Sequence, residues 1–388
     1  MQRHEPAGSA EEQRFRFSPM VAVLLVGLVV RGLLIPLGHG QDFVVWDKAS
    51  AATLRGVNIY AHHPAYPAGP YAYFPLWLYI ELPFQWLAQH SGIPFQVAGK
   101  LPIVAADLAC ALLIAAAVRA QGRSEPVVAG AAGAFFLNPL VLYNSAYYGR
   151  FDSLGCALLL AALLGLSRRD RVGWRTAGYY ALAVAAKTFP VLVLAAVLRA
   201  CKGARGRILI MLAAVIVVLT LPYLGTPRAL YTDIVGYDAT KVPQGLSWQR
   251  ELLGTLGVGQ AKLLSYLLLI CFVLVALLLA VIVTDLWLCT ALTLVAFLLF
   301  SKVVLEQYLI WPLPFLLVVA AGASAALAGT CLVLVAVLTT IGMLDNASYH
   351  PLEPSPVVPY SLAAICLIGV VVCATLRRTR STPSGAGC

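Results

Sequence analysis

Residues 20–47 read MVAVLLVGLVVRGLLIPLGHGQDFVVWD, an apolar run that ends in a segment with two carboxylates. The run 20–38 approaches the roughly 20 residues that an α-helix needs to cross a bilayer. No small-residue cleavage site follows Val21–Val30, so we expect an uncleaved first span after a cytoplasmic N-terminal tail, residues 1–19. Asp42 and Asp47 then follow where the chain leaves the bilayer.

Comparable apolar runs recur along the whole chain. Hydrophobic residues make up 61% of the 388 residues and charged residues only 11%, whereas a soluble domain carries roughly 25% charged residues. The pattern predicts an all-α polytopic membrane protein, with one integral-membrane domain at residues 20–376 and a cytoplasmic tail at residues 377–388. About twelve transmembrane helices are predicted, at residues 20–38, 98–118, 127–144, 153–167, 175–186, 188–199, 208–224, 263–283, 286–300, 309–320, 324–344 and 359–376.

The net charge of +10 reflects topology rather than a nucleic-acid partner. The predicted spans leave short segments on one side of the membrane, and arginines and lysines concentrate in these segments. The positive-inside rule therefore places them and both termini in the cytoplasm. Acidic residues concentrate on the other side. No inner segment is long enough to form a nucleotide-binding site, so we expect the chemistry on the extracytoplasmic face.

The longest outer segments are the first outer loop, residues 39–97, and the third, residues 225–262. Aromatic clusters in the first loop predict helices that lie in the membrane interface, where aromatic rings favour the headgroup layer. The nine cysteines form no CxxC pair, and no third ligand stands at metal spacing from His62 and His63. We therefore expect no metal site and no disulfide framework.

The run 175–199 has Lys187 and Pro190 at its centre. A broken helix at membrane depth is tolerated where it lines a protein cavity, and a lysine held there is by default functional. We expect a hairpin of two short helices that reaches part-way through the bilayer. Arg31 in the first span leaves two alternatives open, a functional role or a side chain that extends to the outer edge.

Five motifs occur in order along the outer face. They are Asp42 with Trp46 and Gly56…Tyr60; Tyr73-Phe74-Pro75-Leu76; Asn138-Pro139 with Gly149-Arg150-Phe151-Asp152-Ser153-Leu154; Lys187-Thr188-Phe189-Pro190; and Glu306-Gln307-Tyr308-Leu309 with Trp311-Pro312. Together they resemble the GT-C superfamily of membrane glycosyltransferases. They are similar to the bacterial polyprenol-phosphate-mannose-dependent mannosyltransferases of the family 87 type and to the enzymes that add mannose to GPI-anchor precursors. Arg150 stands where that family usually has glutamine, and Phe74 replaces a proline, which leaves the sugar open.

The resemblance implies an inverting transfer of a hexose, with mannose favoured, from a polyprenyl-phosphate donor to a lipid, glycan or protein acceptor. It implies a bacterial plasma-membrane protein with its site on the extracytoplasmic side. Asp42 is the candidate general base, and the secondary acidic candidates are Asp47, Asp152 and Glu306. The candidate contacts for the donor phosphate are Lys187, Arg150, Arg250 and Lys302. The substrate-lining candidates are Trp46, Tyr73, Tyr148, Trp248, Gln307, Tyr308 and His350. Since the donor carries its own leaving group, neither a cofactor nor a divalent metal is expected.

Structural alternatives exist for several of these residues. Asp42 and Asp152 could cap helices, Asp47 could pair with Lys48 or Arg55, and Lys187 could pair with Asp107 or Asp152. The alternative function is a transporter or flippase of a lipid-linked sugar, because such proteins also carry broken helices and intramembrane charges. A lipid acyl or phosphoryl transferase is a third class, but Asp42 has no histidine at a recognisable spacing.

Overall fold

A computed structural model describes residues 18–66, 69–167, 173–347 and 357–378. The predicted tails up to residue 17 and beyond residue 378, and the candidate His350, lie outside the described residues. Helices dominate this part of the chain. The strands assigned in it are two residues long, β1 (Gln244–Gly245) and β2 (Val303–Val304), and they pair in parallel.

We number the helices of seven or more residues in chain order. They are α1 (Pro19–Leu34), α2 (Gln41–Leu54), α3 (Leu76–Ser91), α4 (Leu101–Ala120), α5 (Glu125–Phe136), α6 (Asp152–Ser167), α7 (Trp174–Ala186), α8 (Leu194–Ala200), α9 (Arg205–Thr220), α10 (Leu253–Ile282), α11 (Leu286–Phe300), α12 (Leu313–Gly322), α13 (Ala325–Ala347) and α14 (Val357–Arg378). Every predicted span coincides with one of these helices or with a helix and a neighbouring turn. The all-α membrane class is therefore confirmed.

Six helical segments of the described chain are long and apolar enough to cross a membrane: Pro19–Leu37, Phe95–Ala120, Arg205–Tyr223, Trp248–Ile282, Ala325–Asp345 and Val357–Leu376. A seventh is obtained if Glu125–Phe136 and Pro139–Tyr147, bent by 46° at Asn138, are one span. The segments predicted near residues 153–167, 188–199, 286–300 and 309–320 are apolar helices shorter than a full span. The count of about twelve stays a prediction.

The first outer loop folds into α2 and α3, which pack against each other. An aromatic cluster holds them to the start of α6, where Phe151 stacks on Trp77 at a centroid distance of 4.3 Å and meets Trp46 at 5.0 Å. Trp46, Trp77 and Phe151 are all fully or almost fully buried. Such pairs add about 0.5–1.5 kcal/mol each beyond the burial of their area.

The predicted break at Lys187 is confirmed. Helix α7 ends at Ala186, Lys187 is extended (φ −149°, ψ 137°), and a 3-10 turn, Phe189–Val193, leads into α8. The hydroxyl of Tyr180 donates to the carbonyl of Pro190 at 3.0 Å and closes the break. Whether the two halves return to the same face of the membrane stays a prediction.

Arg31 does not extend to the outer edge, so that alternative from the sequence is wrong, whereas a functional role stays a prediction. Its side chain is fully buried, its Nε donates to Asp107 Oδ2 at 2.8 Å, and its Nη1 donates to the carbonyls of Gly27 and Phe136. This ion pair ties α1 to α4 and α5. It also removes Asp107 as a partner for Lys187.

Candidate active site

A cavity of about 1290 Å³ is enclosed by the first outer loop, the second outer loop (residues 138–152), the third outer loop, the Lys187 break and the segment 301–311. It brings together most of the residues predicted from sequence. Those in its wall are Asp42, Trp46, Tyr73, Tyr148, Arg150, Lys187, Arg250, Lys302, Glu306, Gln307 and Tyr308. The motifs, which span more than 260 positions of sequence, therefore share one site.

Asp42 lies in the first turn of α2, with 40% of its side chain exposed, in the cavity wall. The helix is capped by Gly40 without a side-chain hydrogen bond, so the capping alternative for Asp42 is wrong. Gly40 donates its N–H to the carbonyl of Tyr148 at 2.8 Å, and a Cβ at this position would lie 2.3 Å from the Tyr148 ring. Close backbone packing therefore fixes where α2 begins, and with it the position of Asp42.

Arg150 joins two of the carboxylates that line the cavity, Asp42 and Glu306. Its Nε lies 3.6 Å from Asp42 Oδ2, its Nη1 donates to Glu306 Oε1 and to Asn144 Oδ1, and its guanidinium lies over the Tyr148 ring at 4.7 Å. The Arg150 side chain is only 12% exposed. The predicted phosphate contact is thus already engaged by two anions.

Lys187 and Asp152 form a second ion pair. Lys187 Nζ donates to Asp152 Oδ2 at 2.8 Å, and Trp311 Nε1 donates to Asp152 Oδ1 at 2.6 Å. Asp152 is buried behind the cavity wall, whereas Lys187 lines it. The alternative that pairs Lys187 with Asp152 is confirmed, and Asp152 does not cap α6 but holds Lys187 at the cavity.

The opposite wall joins the third outer loop to the segment 301–311. Lys302 Nζ donates to the carbonyls of Ala239 and Lys241, each at 2.9 Å, next to the β1–β2 pair. Gly245 has a φ of +66°, and a Cβ there would lie 2.2 Å from the Val304 carbonyl oxygen, so this pairing requires glycine. Arg250 reaches the same wall and pairs with Glu251 at 2.7 Å.

Two further predicted residues lie outside the cavity wall. Asp47 accepts a hydrogen bond from Gln85 Nε2 at 3.1 Å rather than pairing with Lys48 or Arg55, and burial raises its pKa although this hydrogen bond opposes the shift. Trp248 donates its Nε1 to the carbonyl of Leu299 at 2.7 Å. Both have structural partners within the protein.

The sequence did not single out two residues that matter for the site. Asp345 at the end of α13 lines the cavity as a third carboxylate; its only signal is its place at the end of a long apolar run. Lys100 is fully buried and donates to the carbonyls of Ile35, Gly38, Ala146 and Tyr147. It joins the segment directly after α1 to the second outer loop, and its Nζ lies 5.9 Å from the ring centroid of Phe43 in α2.

One side of the cavity is apolar and reaches the outer surface of the protein. Val191, Tyr266 and Leu269 line it and are 41%, 51% and 53% exposed. Phe272, Phe297 and Phe300 continue this side inwards. The apolar side of the cavity wall therefore reaches the protein surface between α10 and the turn Phe189–Val193.

Within the described ranges, no three His, Cys, Asp or Glu side chains lie close enough to form a metal site. The charges in the cavity wall are instead arranged as carboxylate–cation pairs. Such an arrangement can accept a proton at Asp42 and can present Lys187 to an anion.

No curated protein matches the chain in a sequence search. The sequence model of glycosyltransferase family 87 matches residues 71–305, more than half of the chain. The matched part includes Tyr73, Arg150, Asp152, Lys187 and Lys302, begins after Asp42 and ends directly before Glu306. The protein therefore belongs to glycosyltransferase family 87, a GT-C-type family of membrane glycosyltransferases.

Proposed function

We propose that the protein transfers a hexose, with mannose favoured, from a polyprenyl-phosphate donor to a hydroxyl group of a lipid, glycan or protein acceptor, with inversion at the anomeric carbon. One observation carries the proposal: Asp42 and Lys187 line the same cavity, and an apolar side of this cavity is exposed at the protein surface. A lipid-linked donor can then enter from the bilayer with its phosphate near a cation. We place the reaction on the extracytoplasmic face, from the distribution of basic residues.

Asp42 acts as the general base in this mechanism. The acceptor hydroxyl gives its proton to the Asp42 carboxylate while its oxygen attacks the anomeric carbon. The bond between that carbon and the phosphate oxygen breaks on the opposite face, and its electron pair leaves with the lipid phosphate. The 40% exposure of the Asp42 side chain supports direct access for the acceptor.

Lys187 stabilises the charge that develops on the departing phosphate. Asp152 and Trp311 hold its ammonium group in the wall, so its position is set before the donor binds. Arg250 and Lys302 on the opposite wall offer further cations to the same phosphate. The lipid chain lies along Val191, Tyr266 and Leu269.

Aromatic side chains offer surfaces for the sugar rings between these charged groups. Trp46 and Tyr73 line the wall beside Lys187, and Tyr148 and Tyr308 lie near Arg150 and Glu306. Arg150 and Glu306 are held against each other, so we expect them to shape this part of the pocket and to select the sugar.

The test uses purified protein and a panel of radiolabelled polyprenyl-phosphate sugars. Asp42→Asn keeps the size of the side chain but removes the proton acceptor, so turnover should fall by about 10²–10⁴-fold with donor binding preserved. The matched control is Asp47→Asn on the same helix, which lies outside the cavity wall and should retain most turnover. Full turnover in Asp42→Asn would exclude it as the base. Donor movement across vesicle membranes without hydrolysis or transfer would favour the flippase instead.

A further inference from the structure

Helix α3 carries three buried polar side chains, Trp77, Glu81 and Gln85, at successive intervals of four residues. They are 0%, 0% and 5% exposed. Among the described residues, Trp77 Nε1, both carboxylate oxygens of Glu81 and Oε1 of Gln85 have no partner at hydrogen-bond geometry, although all are shielded from solvent. Residues four apart lie on the same helix face, so these groups are neighbours.

Two more polar atoms without a partner among the described residues belong to side chains that pack with this cluster. They are Nε1 of Trp46, whose ring lies 5.9 Å from that of Trp77, and the hydroxyl of Tyr71. The cluster thus holds both donors and acceptors. A cation site would need oxygen ligands alone, and two indole N–H groups argue against one. Buried groups of this kind are costly unless they share hydrogen bonds.

Glu81 can join the cluster only with a proton. Burial raises its pKa well above the usual range, and the negative charge of Asp47 raises it further, whereas the indole of Trp77 acts in the opposite direction. An ionised Glu81 would be a buried charge without a cation, which proteins avoid by neutralising the group.

Among the described residues, the elements packed against α3 supply no cation that acts on Glu81. Helix α2 presents Asp47 and Lys48, but Lys48 acts on Asp47 and not on Glu81. The segment before α3 presents Tyr71, and the turn Phe95–Ala98 has no ionisable side chain. The ionisable side chains of α7, Arg175, Tyr179 and Tyr180, do not act on Glu81.

Gln85 connects this cluster to α2. Its Nε2 donates to Asp47 Oδ1 at 3.1 Å, which leaves Oε1 buried and in need of a donor. A protonated Glu81, one turn earlier, is a donor for that atom, and Trp77 Nε1 is a donor for the remaining Glu81 oxygen. An ionised Glu81 would instead attract the Gln85 amide N–H groups and turn the amide away from Asp47.

We propose that Glu81 is a positioning residue that, in its protonated form, donates a hydrogen bond to Gln85 Oε1. This hydrogen bond directs the Gln85 amide N–H towards Asp47. The contact with Asp47 then fixes the position of α2, the helix that carries Asp42. The role in turnover rests on the proposed function, but the protonation and the hydrogen bond do not. Trp46, on α2 and in contact with Trp77, also lines the cavity, so the cluster supports the cavity wall at two points.

The first test is independent of activity. The infrared difference spectrum of the purified protein minus Glu81→Gln, at neutral pH, should contain the carbonyl stretch of one buried, hydrogen-bonded carboxylic acid. Glu125→Gln is the matched control, since Glu125 is exposed and paired with Arg119, and it should lack this band. An unchanged carboxylic-acid region in Glu81→Gln, or a carboxylate band in its place, would overturn the proposal whatever reaction the protein catalyses.

The second test compares turnover. Glu81→Gln is neutral, can donate to Gln85 and accept from Trp77, and should keep near wild-type turnover. Glu81→Leu has no donor and should lower turnover by about 10- to 100-fold through a small displacement of Asp42. Equal losses in both variants would contradict the role of the donated proton. If Glu81→Leu does not fold, the turnover of Glu81→Gln and the infrared band still test whether a protonated Glu81 donates to Gln85.

Discussion

A single guanidinium serves two carboxylates in the cavity wall. The side chains of Arg150 and Glu306 are 12% and 7% exposed, so their ion pair is shielded from solvent on both sides. Removing one partner of such a pair leaves the other as a buried, uncompensated charge, whereas removing both does not. The stability of this wall should therefore depend on the pair rather than on either residue alone.

Arg150→Met should lower the free energy of unfolding by about 3–5 kcal/mol, the usual cost of breaking a buried pair. The double variant Arg150→Met/Glu306→Gln should recover much of this loss, because it leaves no unpaired carboxylate at Glu306. Thermal unfolding of the detergent-solubilised single and double variants measures the loss and its recovery. Additive losses in the double variant would show that the two side chains are not coupled.

The pH dependence of stability should report the proton on Glu81. Its folded pKa is raised by burial, so the folded protein holds this proton more tightly than the unfolded chain. The stability from this group is then complete below the ordinary glutamate pKa of about 4.3 and is lost as pH rises towards the folded value.

Within that window the stability of the wild type relative to Glu81→Gln should decline by about 1.4 kcal/mol per pH unit. The midpoint of thermal unfolding of both proteins, followed from acid to alkaline pH, checks this slope. A constant difference between them would show that the folded pKa of Glu81 is not raised.

At the scale of single residues, the sequence predicted which residues line the cavity better than it predicted the hydrogen-bond and ion-pair partners of those residues. Asp42, Lys187 and Glu306 stand in recognisable motifs. The pairing of Arg150 with Glu306 joins residues 156 positions apart, and no local pattern encodes such a distance. The hydrogen bond from Gln85 to Asp47 was equally unpredictable, because Gln85 lies on another helix.

Turns with unusual backbone geometry connect the elements of the site. Gly149 has a φ of +81°, and a Cβ there would lie 2.5 Å from the ring of Phe43. It directly precedes Arg150 and follows Tyr148, which packs on Gly40 at the start of α2. This one turn therefore fixes the position of the Arg150 guanidinium and the position of the start of α2.

Gly149→Ala should destabilise the protein by about 1–3 kcal/mol, since alanine is strained at this φ and its methyl group would displace Phe43. We also expect lower turnover, because Arg150 and Asp42 would shift together. Gly178→Ala in α7 is the matched control: no atom lies within 4 Å of its Cβ, and alanine in a helix is favoured by roughly 0.5–1 kcal/mol. Equal stability of the two variants would contradict this account of the turn.

Local patterns predicted the elements themselves because helices depend on short-range periodicity. The break at Lys187 followed from one lysine and one proline inside an apolar run. The β1–β2 pairing was not predictable in this way, since two-residue strands leave no periodic signal and their partners lie 59 positions apart. The same limit applies to Lys100, whose four carbonyl partners come from the segment directly after α1 and from the second outer loop.

At the scale of the whole molecule, contacts between loops place the cavity at one end of the protein. His63 Nε2 lies 2.9 Å from Asp233 Oδ2, and Asn58 Nδ2 donates to Thr226 Oγ1 at 3.0 Å. The first and third outer loops therefore lie on the same side of the membrane. Arg199, by contrast, donates to the carbonyls of Ala280, Val283 and Thr284 at the C-terminal end of α10, where a cation is favourable.

The direction of insertion follows from the basic segments, and cysteine labelling tests it. Cys271 is the one exposed cysteine among the described residues, so a Cys271→Ser/Cys388→Ser background suits the experiment. Ser91→Cys and Thr240→Cys, both at exposed positions in the first and third outer loops, should react with a membrane-impermeant maleimide on intact cells. Ser124→Cys and Gly203→Cys, exposed in the basic segments, should react only after permeabilisation.

The first pair, Ser91 and Thr240, tests whether the first and third outer loops lie on the same side of the membrane. The second pair, Ser124 and Gly203, tests which side of the membrane that is. Agreement between Ser91→Cys and Thr240→Cys is required by the contacts between the loops, and labelling on opposite sides would contradict the shared cavity itself. If all four positions react in the opposite sense, the cavity survives but faces the cytoplasm, and the donor must then be available on that leaflet. Since the proposed entry of the lipid-linked donor lies at Val191, Tyr266 and Leu269, the orientation of the chain decides which leaflet supplies this donor.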